Sequence, residues 1–101
     1  MHIIIWKFEV NPTCKQKFEE LYGQNGKWVK LFKKAKGYIG TDLTKEVSQE
    51  NWYLTIDKWQ SKGAYENFLK DFKKEYDALD TRGEKLTISE VKIGWCEEIG
   101  K

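Results

Sequence analysis

The sequence is poor in the residues from which most hydrolytic and metal-dependent active sites are built. It holds one histidine, His2, one arginine, Arg82, and two cysteines, Cys14 and Cys96, in 101 residues. A Ser-His-Asp or Cys-His arrangement needs a better-placed imidazole, and one histidine cannot make a multi-histidine metal site. Two cysteines outside any C-x-x-C pair form neither a disulfide framework nor a zinc motif. Both read as small core residues, since no imidazolium is at hand to lower a thiol pKa. The longest apolar run, Ile3-Ile4-Ile5-Trp6, falls far short of the ~20 residues that span a bilayer. One proline and eight scattered glycines exclude collagen-like and low-complexity chains. No basic stretch followed by an apolar segment and a cleavage site opens the sequence, which predicts a reduced, cytoplasmic protein without a membrane span.

Charge of one sign is lacking too. Eighteen Lys+Arg against 16 Asp+Glu leave a net +2, with the signs interleaved, whereas a nucleic-acid binder concentrates basic residues on one face. The local excess at Lys27, Lys30, Lys33, Lys34 and Lys36 reads as a solvated helix face, and no nucleic-acid partner is expected. What the sequence does have is aromatic mass: five Trp, five Tyr and five Phe, 15% of the chain. That excludes disorder and suits a single domain over residues 1–101 with one core.

Periodicity orders the elements. Residues 2–10 alternate as a strand, and Asn11-Pro12 starts a helix with a capping side chain and a proline at its first turn. Cys14, Phe18, Leu21 and Tyr22 share one helical face, which Gly23-Gln24-Asn25-Gly26 interrupts before a short helix with Trp28, Leu31, Phe32 and Ala35 inward. Gly37 suits its end. Residues 38–47 read as a strand with Ile39, Leu43 and Val47 on one face, and 52–59 as a third, with Tyr53, Thr55 and Trp59 opposite Trp52, Leu54 and Ile56. Ser61 caps one long helix carrying Ala64, Tyr65, Phe68, Leu69, Phe72, Tyr76 and Leu79. Asp80–Lys85 is a polar connection, and 87–98 a last strand with Val91, Ile93 and Trp95 on one side.

This order is the α+β, ferredoxin-like βαββαβ arrangement, a four-stranded antiparallel sheet with helices on one face. The other face is apolar in the first and third strands, where a solvated face would alternate with polar residues. The chain has no spare element to cover it, so a homodimer through the sheet face is expected.

From Trp59 the pattern becomes more specific. The segment Trp59-Gln60-Ser61-Lys62-Gly63-Ala64-Tyr65-Glu66-Asn67-Phe68-Leu69 resembles the strand-to-helix segment of the antibiotic biosynthesis monooxygenase (ABM) domain family. The first strand running into Asn11-Pro12 and a helix with Phe18 is also similar. The resemblance implies a dimeric α/β barrel. It also implies a cofactor-independent monooxygenase acting on a flat aromatic or quinol substrate, with no cofactor. A non-catalytic module that binds a small hydrophobic or aromatic molecule on the same scaffold stands as the alternative. The haem-degrading branch of the family relies on an Asn, a Trp and a His whose positions fall here on Ile5, Phe68 and Ala78, so that activity is not expected.

A cofactor-free oxygenase must hold a flat molecule, ease its deprotonation and exclude water. Such a site needs a pocket of ~300 Å³ or more, with at least one Tyr, Asn or carboxylate pointing in. The candidate wall residues are Trp6, Phe8, Trp52 and Trp95 on strands and Tyr22, Trp28, Phe32, Tyr65, Phe68, Phe72 and Tyr76 on helices. Asn25 stands at the helix break, where the short helix could serve as a lid. For most aromatics core packing is the competing role. Asp57 and Glu90 are strand carboxylates that could act as bases if they face the pocket. Cross-strand pairing with lysines such as Lys58 and Lys92 is their more ordinary use. No catalytic residue follows from the pattern alone.

Overall fold

The structure, a computed structural model, describes residues 1–100. Four strands, β1 (His2–Val10), β2 (Tyr38–Lys45), β3 (Trp52–Trp59) and β4 (Thr87–Glu97), form one antiparallel sheet of order β2-β3-β1-β4. Helices α1 (Lys15–Tyr22), α2 (Lys27–Phe32), α3 (Lys62–Asp71) and α4 (Lys73–Glu84) join them. This is the ferredoxin-like α+β topology.

Local chemistry explains the starts. The Asn11 side chain accepts from the Thr13 amide at 3.0 Å and opens a 3-10 turn, Pro12–Cys14, ahead of α1. Ser61 likewise accepts from the Ala64 amide at 3.0 Å and opens α3. One long helix was expected from Ser61 onward; instead the chain bends at Phe72 (φ −119°, ψ 26°), and α4 runs through the predicted polar connection to Glu84. Neither glycine nor proline marks that bend, so periodicity alone reads across it.

Every second side chain of β1 and β3 faces the helices. Ile4, Phe8 and Val10 do so on β1, and Tyr53, Thr55, Asp57 and Trp59 on β3, all buried. Two aromatic clusters fill this side. One centres on Ile4, Trp28, Phe32, Trp59 and Phe68, the other on Phe8, Val10, Phe18 and Tyr53; Trp6, Tyr22 and Leu86 touch both.

Bulges alter the outer strands. A register shift between Tyr38 and Gly40 leaves Ile39 exposed, and Val47 lies beyond β2 in full solvent, so only Leu43 of the expected apolar trio is half-buried. On β4 a shift opposite Ile5 and Trp6 reverses parity. Trp95 therefore pairs beside inward-facing Ile4, while Val91 lies opposite Lys7 on the outer face. Cys96, expected in the core, is exposed there. The outer face carries Ile3, Ile5, Leu54 and Ile56 half-exposed with Val91 exposed, and no element among the described residues covers it.

Candidate active site

Between the two clusters the inner sheet face and the helices enclose a cavity. Its atom-free space is about 490 Å³, part of it open to solvent, yet the centre of a water-sized sphere has only about 40 Å³ in which to move. That is well below the ~300 Å³ such a site needs, so the aromatic walls must part before a ring can enter this narrow slot. The walls are Trp6 and Phe8 from β1, Tyr22 from α1, Trp28 and Phe32 from α2, and Tyr65 and Tyr76 from α3 and α4.

Its polar groups come from four elements. Thr41 on β2 and Thr55 and Asp57 on β3 are buried; Asp80 on α4 and Glu90 on β4 stand nearer the solvent side. Asp57 has no cation beside it. Thr41 donates its hydroxyl proton to Asp57 Oδ1 at 2.7 Å. Since that proton is committed, the hydroxyl of Tyr38, 2.7 Å from Thr41 Oγ1, donates in turn to Thr41. Burial pushes the Asp57 carboxyl up to about 6, with the Thr41 hydrogen bond opposing the rise. Cross-strand pairing would have kept it low, but Lys58 points to the other face and pairs with Asp42 at 2.9 Å. Lys92 instead sets its ammonium over the Trp95 ring, 4.4 Å from the centroid, and leaves Glu90 without it.

The phenols hold their protons. Burial raises Tyr22 and Tyr76 well above the ordinary tyrosine value, and burial with the nearby charges of Asp57 and Asp80 takes Tyr65 to about 12. At neutral pH all three are hydrogen-bond donors. The indole N–H of Trp28 is buried without a hydrogen-bond partner, which is an unmet donor in the wall of a cavity. Burial raises Glu90 and Asp80, each further disfavoured by neighbouring carboxylates.

Of the aromatics singled out in the sequence, the fold brings Trp6, Phe8, Tyr22, Trp28, Phe32, Tyr65 and Tyr76 to this one cavity. Phe68 packs in the core between Phe32 and Trp59. Trp52 lies on the other sheet face, its ring under the Lys7 ammonium at 5.1 Å. Trp95 is half-exposed against His2 and Tyr65, outside the cavity wall. Asn25 is exposed in an outer groove; from that loop it is Gln24 that reaches β2, donating to the Thr41 carbonyl. Nor is α2 a detachable lid, because Trp28, Val29, Leu31 and Phe32 are all buried. Thr41, Thr55 and Asp80 were not anticipated. For Thr55 and Asp57 the signal was available: they share the strand face of Tyr53 and Trp59, where polar residues signify a lined cavity rather than solid core.

A sheet of this order with helices on one face is a ferredoxin-like fold, and the polar-lined slot beneath its helices is its candidate site. The family model for antibiotic biosynthesis monooxygenases matches residues 1–72, and the chain belongs to that family. Its fold is similar to a single-site variant of SnoaB, a cofactor-independent oxygenase from Streptomyces nogalater (17% identity, 99% of this chain and 94% of that one, TM-score 0.82). It is also similar to a Bordetella bronchiseptica protein provisionally assigned as an antibiotic biosynthesis monooxygenase (15%, 97% and 96%, TM-score 0.78) and to Rv0793 from Mycobacterium tuberculosis (12%, 98% and 98%, TM-score 0.70). No curated protein matches in sequence. No helix among the described residues is long and apolar enough to cross a membrane.

Proposed function

We propose that this chain is a cofactor-independent monooxygenase that oxidises a flat aromatic or quinol substrate in the slot, with Asp57 as the base. The observation that carries the reading is a buried, cation-free carboxylate in an aromatic cavity that also holds protonated tyrosine hydroxyls. Asp57 accepts the substrate's hydroxyl proton. The tyrosine hydroxyls and the Trp28 N–H stabilise the resulting anion, which supplies its own electrons to dioxygen. In the balanced reaction the ring CH₂ in the keto tautomer of the substrate phenol reacts with O₂ to give a ring C=O and H₂O. The four electrons come from the substrate carbon, one oxygen atom stays in the product and the other leaves as water.

Oxygen uptake tests this. With EDTA present and no added reductant, the protein is expected to accelerate O₂ consumption by one or more members of a panel of neutral and amine-bearing polycyclic quinols. Uptake no faster than in protein-free buffer across the panel, with ligand binding retained, would instead favour the non-catalytic binding module.

We further propose that two copies pair through the outer sheet face, as a dimeric α/β barrel. Ile3, Ile5, Leu54 and Ile56 are an apolar surface that nothing among the described residues covers, which supports this. Light scattering is expected to give a mass near twice 12.0 kDa, and Ile5→Lys is expected to give a monomer. A monomeric wild type at 50 µM contradicts the pairing. The free thiols of Cys14 and Cys96 support a reduced, cytoplasmic setting.

A further inference from the structure

The cavity has a charge pattern that a neutral substrate does not use. Three carboxylates line it, Asp57, Asp80 and Glu90, and no Lys, Arg or His does. None of the three is in an ion pair: the pairs among the described residues are Lys15–Glu50, Lys58–Asp42 and Lys73–Asp77. In a chain with more basic than acidic residues, three partly desolvated acids without a counter-ion are costly to maintain. Burial raises all three; Glu90 is raised further by the negative charge of Asp80, and Asp80 by those of Glu84 and Asp77.

The carboxylates sit at two ends. Asp57 lies beside Ile4 of β1, whereas Glu90 lies beside Phe8, two strands across from β3. Their backbones are therefore on the order of 15 Å apart, and both side chains line the slot. Asp80 stands with Glu90 at the more open end. Between the ends run aromatic faces, Trp6, Tyr22 and Tyr76 among them. Aromatic walls with acidic ends attract an organic cation through ring quadrupoles and through charge. A metal ion is a poorer match, because no three of the His, Cys, Asp or Glu side chains among the described residues are gathered to ligate one. The buried Trp28 N–H lies near enough to the Tyr22 hydroxyl to lower that phenol's pKa against the rise from burial, yet makes no well-aligned hydrogen bond to it, so an acceptor on the ligand would compete with Tyr22 for this donor.

We infer that the substrate is a hydroxylated aromatic bearing a protonated amine, its hydroxyl set at Asp57 and its ammonium between Asp80 and Glu90. This rests on the cavity being the substrate site and goes beyond it by naming the charge. The hydroxyl end is where proton transfer occurs; the ammonium end orients the ring along the slot and relieves the repulsion between Asp80 and Glu90.

Calorimetry at pH 7.5 with three phenols of one shape tests it: tyramine, cationic; 4-ethylphenol, neutral; 4-hydroxyphenylacetate, anionic. Tyramine is expected to bind at least tenfold more tightly than 4-ethylphenol, and the anion most weakly. In Asp80→Asn/Glu90→Gln the two phenols that differ by the ammonium are expected to bind within twofold of each other; if that variant does not fold, the wild-type series decides alone. Equal or tighter binding of 4-ethylphenol overturns the inference, as does no binding of tyramine at 10 mM. The oxygenase reading is tested separately. Oxygen uptake with neutral quinols and no tyramine preference overturns the charge assignment alone. A tyramine preference with no uptake from any quinol overturns the oxygenase reading alone.

Discussion

Replacing Asp57 with Asn is expected to lower kcat by about 10²–10⁴-fold, the range lost with a positioned general base, while KM changes little. Asn has the same shape and its carbonyl can still accept from Thr41. In the wild type the base works only when ionised, so kcat/KM is expected to fall about tenfold per pH unit below the Asp57 value of about 6. The same substitution is expected to stabilise the fold at pH 7.5. A free aspartate ionises near 3.9, so between roughly pH 4 and 6 the folded protein retains a proton that the unfolded chain has lost. Native protein that binds more protons loses stability as pH rises, here by up to about 3 kcal/mol, and the loss is complete above about 6. Asp57→Asn lacks that loss. It should melt higher at pH 7.5 by the equivalent of about 1–3 kcal/mol, with less or no advantage at pH 4. An active variant with an unchanged acid limb contradicts the role of Asp57. So does a variant less stable than wild type at pH 7.5.

Gly26→Ala is expected to be among the most damaging single changes in the protein. Gly26 has an extended backbone (φ −82°, ψ 171°) open to any residue, but the space beside it is not open. An added Cβ would meet the Glu20 and Leu21 carbonyl oxygens of α1, which are backbone and cannot swing aside. The α1–α2 corner must then open, carrying the buried Trp28 away from the cavity. Overpacking of this kind costs about 3 kcal/mol at its upper range, which in a domain of this size lowers Tm by about 10–20 °C. Circular dichroism melts check it; a Tm within 2 °C of wild type means that the corner is not close-packed.

How legible the site was in the sequence depended on which physical signal each residue carried. The ends of elements were readable because Asn11 and Ser61 cap where their side chains suggest. The inward faces of β1 and β3 were readable because two-residue alternation holds over nine and eight residues without a bulge between them. Trp6, Tyr22, Trp28 and Tyr65 could be named as wall candidates, but their periodicity is the same as that of Phe68, which only packs; spacing does not distinguish a cavity wall from filled core. Trp95 and Ile39 were misplaced by bulges, which have no consistent mark in a single sequence. Asp80 was hidden because the apolar periodicity that marks the helix stops at Leu79; α4 runs on to Glu84, which sets Asp80 one turn after Tyr76 on the side facing the sheet. Asp57 looked like a partner for Lys58, its chain neighbour. In a strand, though, neighbours point to opposite faces, and that rule alone separates the ion pair Lys58–Asp42 on the outside from the unpaired acid within.

The most direct test of the oxygenase reading is the fate of the oxygen atoms. The quinol that gives the fastest uptake should be turned over under ¹⁸O₂ in ordinary water, with EDTA and no reductant, and the product analysed by mass spectrometry immediately after quenching. One ¹⁸O atom in the new carbonyl, the other in water, and loss of the labelled product in Asp57→Asn are the predicted results. Product without the label, or no product above the protein-free reaction, would contradict catalysis by this cavity.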